Sequence, residues 1–147
     1  MRSMFRLVRN TLLAVLLIAS AASAEKKLVH PKEFPKGRPF SPGLLVGNTL
    51  YVAGQVGQDL ATGKIPDDFK AEVKQTLDNI NLVLKEAKMS FADAVSVTVH
   101  LTDIALFQPM NEVYVTYFPE PRPVRTTVAV SKLVGTAKIE ITVTASK

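Results

Sequence analysis

Residues 67–101 read DDFKAEVKQTLDNINLVLKEAKMSFADAVSVTVHL, and two periodicities meet within them. Phe69, Val73, Leu77, Ile80 and Leu84 recur at the three- and four-residue spacing that collects side chains on one helical face. Asp67 or Asp68 offers a carboxylate to the amides that a first helical turn leaves free. The spacing predicts a helix from there to about Lys88. Ser90 and Asp93 then stand as in a capping box or a short turn. From Val95 the period changes to two: Val95, Val97, Val99 and Leu101 alternate with Ser96, Thr98 and His100, as in a half-buried strand.

Working outward, Leu44–Val46 and Leu50–Ala53 flank Gly47-Asn48-Thr49, whose first residues tolerate positive φ, so a β-hairpin is expected there. Gly54-Gln55-Val56-Gly57 is read as the end of its second strand. Asp59–Pro66, with Thr62-Gly63 at its middle, is a polar loop. On the C-terminal side, Phe107, Met110, Tyr114 and Tyr117 form a second, shorter helical stripe, closed by the proline-rich loop Pro119–Pro123. Strands over roughly Val124–Ser131 and Ala137–Ala145 complete the chain. The order β-β-α-β-α-β-β describes a single α+β domain, residues 43–147, with helices on one face of a mixed sheet.

One arginine stands out, set in the otherwise uncharged stretch Pro123-Val124-Arg125-Thr126-Thr127-Val128-Ala129-Val130. A guanidinium stays charged and is costly to bury without a partner. Alternation puts Arg125, Thr127 and Ala129 on one face of the strand. Small neighbours leave space beside the fork, as bidentate capture of a carboxylate requires. A bland alternative pairs Arg125 with Glu140, of Lys138-Ile139-Glu140-Ile141, as an ion pair across adjacent strands.

The N-terminus carries an address. Arg2, Arg6 and Arg9 precede an apolar run, Leu12–Ala19, and then Ala22-Ser23-Ala24, the pattern of a secretory signal peptide cleaved after Ala24. The run is too short for a membrane-spanning helix, so no membrane association is expected after cleavage. Leaving out the three arginines of residues 1–24 reduces the excess of Lys and Arg over Asp and Glu from five to two. What remains is close to neutral, and its one dense basic cluster, Lys26, Lys27, Lys32, Lys36 and Arg38, lies in a segment with four prolines. That segment, residues 25–42, is read as an extended leader whose end is left open as a lining of a site, and its cluster as a solvated tail. Nothing in this charge pattern suggests a nucleic-acid stripe. The absence of cysteine excludes disulfides and thiol nucleophiles. His30 and His100 are far apart in sequence and give no support to a metal site.

Ala53-Gly54-Gln55, Thr62-Gly63, Thr76-Leu77-Asp78-Asn79, Val97–Asp103, Asn111 before Tyr114, Pro123-x-Arg125 and Lys138-Ile139-Glu140-Ile141 occur in this order at compatible spacing. Together, over about Pro39–Ala145, they resemble the Rid family of reactive-intermediate deaminases, also called YjgF or L-PSP. The resemblance implies a chorismate-mutase-like fold and a homotrimer with clefts at its subunit interfaces. It also implies hydrolysis of 2-aminoacrylate and related imines or enamines to 2-oxo acids and ammonia, without metal or cofactor. By position, Arg125 matches the arginine that binds the substrate carboxylate, and Glu140 matches the carboxylate that positions or activates water. Asn111, Gly54 and Phe40 match other cleft positions. Phe40 stands where the family often has tyrosine, and Thr127 where it often has cysteine, so a hydroxyl and a thiol are missing from the expected site. Two other readings remain open: a non-catalytic trimer that binds small carboxylates, and an endoribonuclease, which the near-neutral charge disfavours.

Overall fold

The computed structural model describes residues 24–147; all of the signal segment except Ala24 lies outside the described residues. Six strands form one sheet: β1 (Lys26–Val29), β2 (Gly43–Val46), β3 (Thr49–Val56), β4 (Ala94–Leu101), β5 (Val124–Ala129) and β6 (Ile139–Ser146). Their spatial order is β1-β2-β3-β6-β4-β5, and only the β4/β5 pair is parallel. Helices α1 (Phe69–Glu86) and α2 (Phe107–Tyr114) pack on one face. The expected α+β architecture with a mixed sheet is therefore present.

The local signals explain most of the elements. The Asp68 carboxylate accepts the Ala71 amide at 2.8 Å and starts α1, whose face of Val73, Leu77, Ile80, Val83 and Leu84 is fully buried. Ser90 and Asp93 form a reciprocal capping box around a single 3-10 turn. Val46 pairs with Thr49, so the β2–β3 hairpin turns through two residues only, and Gly47 takes the left-handed conformation that the tight turn requires (φ +60°).

Two expectations are corrected. First, residues 25–42 are not merely a leader outside the domain. Lys26–Val29 pairs antiparallel with β2 as a sheet-edge strand, and Phe34, 3% exposed, is part of the core. Backbone pairing needs no apolar period, so the segment's composition concealed it. As read from the sequence, β3 ends within Gly54–Gly57, at Val56, after a register shift between Val52 and Gln55. Second, Val95 is not an inward residue. Ala94 pairs with Ala145 and Ser96 with Thr144, which leaves Val95 as an extra residue, 47% exposed. The alternation holds from Val97 onward.

The two faces of the sheet differ sharply. Ile139, Ile141, Val143 and Ala145 of β6 point to the helices, as do Val97, Val99 and Leu101 of β4, and all are buried. On the opposite face one in-register row crosses all six strands: Leu28, Leu44, Tyr51, Thr144, Ser96 and Val124. Leu28, Tyr51 and Val124 in that row are more than half exposed.

The core position of Phe34 separates a tail from a structural segment. Phe34→Ala should lower the unfolding free energy by about 3–5 kcal/mol, the usual loss for a buried phenylalanine, read as a shift of the urea midpoint. A solvated leader would give a shift near zero.

Candidate functional site

Arg125 lies on β5 opposite Val97, so it points toward the helices. Its guanidinium carbon sits 4.5 Å from the centroid of Tyr114 and 5.4 Å from that of Phe107, and Nη1 is 3.9 Å from the sulfur of Met110. These three side chains come from α2 at the helical spacing seen in the sequence. Tyr114 is itself stacked on Phe118 at 4.1 Å between centroids, which fixes the ring beneath the cation. The space expected in front of Arg125 is thus walled by aromatic rings and a thioether, and cation–π contact takes the place of an intrachain anion. Two buried hydroxyls, Tyr114 Oη and Thr127 Oγ1, have no hydrogen-bond partner among the described residues. Burial raises the pKa of Tyr114 against the opposing pull of Arg125. Asn111 lies in the same helix, half-buried.

Glu140 lies on β6 between the inward-facing Ile139 and Ile141 and so points to the other face. Its register partner is His100, whose Nδ1 is 3.9 Å from Glu140 Oε1. That is too long for a hydrogen bond but close enough for attraction whenever the imidazole is protonated. A Cβ added at Gly54 would fall 2.7 Å from Glu140 Oε1, so a glycine there makes room for the carboxylate. Glu140 opens into a cleft of about 540 Å³ lined also by Arg38, Phe40, Gly54, Gln58 and Leu60. Phe40 forms its wall at 51% exposure.

Within one chain, then, the six expected positions fall into two groups. Glu140, Gly54 and Phe40 share the open-face cleft, whereas Arg125, Thr127 and Asn111 belong to the helical side. The simple ion pair between Arg125 and Glu140 is excluded, because β4 separates their strands and the two side chains leave the sheet in opposite directions.

The sequence reading passed over three residues. Arg38 was assigned to a solvated tail, yet it lines the cleft. His100 was noted only as a polar strand residue and turns out to adjoin Glu140. Glu72, on α1, was not singled out. It is fully buried, and its Oε1 accepts the amides of Lys138 at 2.7 Å and Ile139 at 3.3 Å, the two residues before Glu140. Oε2 has no partner among the described residues, and burial raises the pKa of this carboxyl above its ordinary value. Glu72 therefore anchors the start of the strand that presents Glu140. A detectable signal did exist: Glu72, Thr76, Asn79 and Val83 form a line at helical spacing, and all four are buried. Asn79 donates to the carbonyls of Val56 and Gln58 at 3.1 and 2.8 Å, fixing the cleft wall beyond β3.

A family model described as Endoribonuclease L-PSP matches residues 31–147. The chain belongs to the Rid (YjgF, L-PSP) family. Among its Rid relatives, a RutC family protein of Pyrococcus abyssi is 41% identical over 124 residues, 83% of this chain and 98% of the relative. The 2-iminobutanoate/2-iminopropanoate deaminase of Bos taurus is 36% identical over 122 residues, covering 82% and 89% of the two chains. The crystal structure of Escherichia coli TdcF with bound serine has the same Rid fold, with a TM-score of 0.77 at 30% identity over 83% of this chain and 99% of that one.

The buried Glu72 makes stability depend on pH in a defined sense. Its pKa is higher in the folded than in the unfolded chain, so the fold binds the proton more tightly. Stability contributed by Glu72 is complete below the unfolded value of about 4.3 and is lost as pH rises through the higher folded value. Glu72→Gln should remove this loss, so the difference in stability between variant and wild type should move in favour of the variant across that window in urea titrations. Glu72→Ala should instead destabilise at every pH, by about 1–3 kcal/mol for each amide left unpartnered.

Proposed function

We propose that this protein hydrolyses reactive 2-imino acids and their enamine tautomers, of the 2-aminoacrylate type, to 2-oxo acids and ammonia, in a site that two copies of the chain build together. The observation that carries this reading is the separation of Arg125 and Glu140 onto opposite faces, each with its own companions. One copy supplies Arg125 with Thr127 and Asn111, and a neighbour supplies Glu140 with Gly54 and Phe40. The exposed row on the open face offers a surface for that neighbour, and the family resemblance implies a homotrimer with clefts at its subunit interfaces. The bovine relative named as a 2-iminobutanoate/2-iminopropanoate deaminase supports the choice of substrate.

The chemistry asks little of the protein. Arg125 binds the substrate carboxylate and fixes C2, converting an encounter with water into a positioned step. An enamine takes up a proton at C3 from solvent and releases one from its nitrogen, becoming the imine. Water adds to C2 while Glu140 accepts one of its protons and the imine nitrogen gains one, giving a carbinolamine. The C2–N bond then breaks, ammonia leaves with the second proton delivered through Glu140, and the C2 hydroxyl gives up its proton as the carbonyl forms. General acid–base help of this kind is worth about 10²–10⁴-fold in rate. For location, we propose export with cleavage after Ala24, which requires the processed protein to begin at Glu25 when its N-terminus is sequenced.

The shared site has a direct test. Arg125→Ala should cut kcat/KM by about one to two decades, the worth of a charge-assisted contact. Glu140→Gln should abolish most turnover while ligand binding persists. When the two inactive variants are unfolded and refolded together, mixed trimers should regain about a quarter of wild-type activity, because each cyclic hybrid contains one intact interface. Mixtures that stay inactive, although mixed trimers form, would show that both groups must come from one chain. Wild-type protein that binds 2-oxo acids but releases no ammonia from 2-iminopropanoate would establish the non-catalytic binder instead.

A further inference from the structure

Arg38 is the cation that the proposed reaction does not use. It is partly buried, lies 5.8 Å from the ring centroid of Phe40, and lines the Glu140 cleft. Among the described residues it has no carboxylate within 4.0 Å. It also lines an adjoining depression of about 580 Å³, shared through Phe40, to which His30 and Lys36 contribute and no acidic side chain does. Moving outward from Glu140, the lining therefore changes from anionic to cationic. The segment that carries Arg38 has little freedom: Pro35, Pro39 and Pro42 fix φ at three positions, and Gly37 makes a turn at φ +79°. An unpaired guanidinium held on such a segment beside a cleft is preorganised to receive an oxyanion.

We propose that Arg38 reads a second anionic group on the substrate, so that the site prefers 2-imino dicarboxylic acids over monocarboxylic ones. This rests on the deaminase reading, in which Arg125 takes the C1 carboxylate. Arg38 belongs to the group of residues around Glu140, so it meets the substrate from the other side of C2, where the side chain of a four- or five-carbon imino diacid would extend. Monocarboxylic imines have nothing to place there.

The experiment compares freshly generated 2-iminoglutarate and 2-iminobutanoate as substrates of wild type, Arg38→Ala and Arg38→Lys, following ammonia release. The wild type should favour the dicarboxylate in kcat/KM. The dicarboxylate-to-monocarboxylate ratio should fall by about tenfold or more in Arg38→Ala and by less in Arg38→Lys, which keeps the charge but loses the fork. An unchanged ratio, or a wild type that prefers the monocarboxylate, overturns the proposal. Equilibrium binding of 2-oxoglutarate and 2-oxobutanoate separates this from the deaminase reading. If neither imine is hydrolysed, the deaminase reading fails, and the Kd ratio of the two oxo acids decides the role of Arg38: a tenfold change on Arg38→Ala supports it, and no change overturns it.

Discussion

The register of β6 is the constraint on which everything else depends. This strand lies between β3 and β4, and its alternation sends Ile139, Ile141, Val143 and Ala145 into the helical layer and Glu140 out of it. A slip of one residue would drive Glu140 into the core and four apolar side chains out, so the hydrophobic effect and the placement of the carboxylate are one requirement. Glu72 reinforces that register from α1. By accepting the amides of Lys138 and Ile139 it fixes the strand at its first residues, at the expense of a buried carboxyl oxygen without a partner. Burying such a group is unfavourable, and here it fixes the strand that presents Glu140 to the open-face cleft.

The same two-sidedness shapes the arginine. On β5, opposite Val97, Arg125 faces the rings of α2 and not Glu140, from which β4 separates it. Cation–π contacts with Tyr114 and Phe107 orient the fork without neutralising it, which leaves its charge for a ligand. A guanidinium already paired to Glu140 would have been a structural group. Separated from it by the sheet, it stays uncompensated by that carboxylate, and the two side chains reach one site only in the assembly of two copies proposed above.

Legibility followed the range of the forces involved. The α1 stripe with its Asp68 cap, the Ser90/Asp93 box, the Gly47 turn and the strand from Val97 are products of neighbours within a few residues, and each was visible as a spacing. The first strand was not, because Lys26–Val29 is held by backbone bonds to β2 and by nothing in its own composition. Val95 was misplaced for a related reason: a bulge depends on the partner strand. Arg38 looked like a tail residue because prolines and lysines in isolation signal solvation.

By itself the sequence determined the kinds of element, the two chemically capable side chains at positions 125 and 140, and a resemblance that the family match bears out over residues 31–147. Only the tertiary structure decided which face of the sheet each of those side chains occupies and which distant residues support them. The reason is physical. Alternation says that neighbours point in opposite directions, but which direction is inward depends on where the helices pack, and that is settled by contacts between residues far apart in the chain.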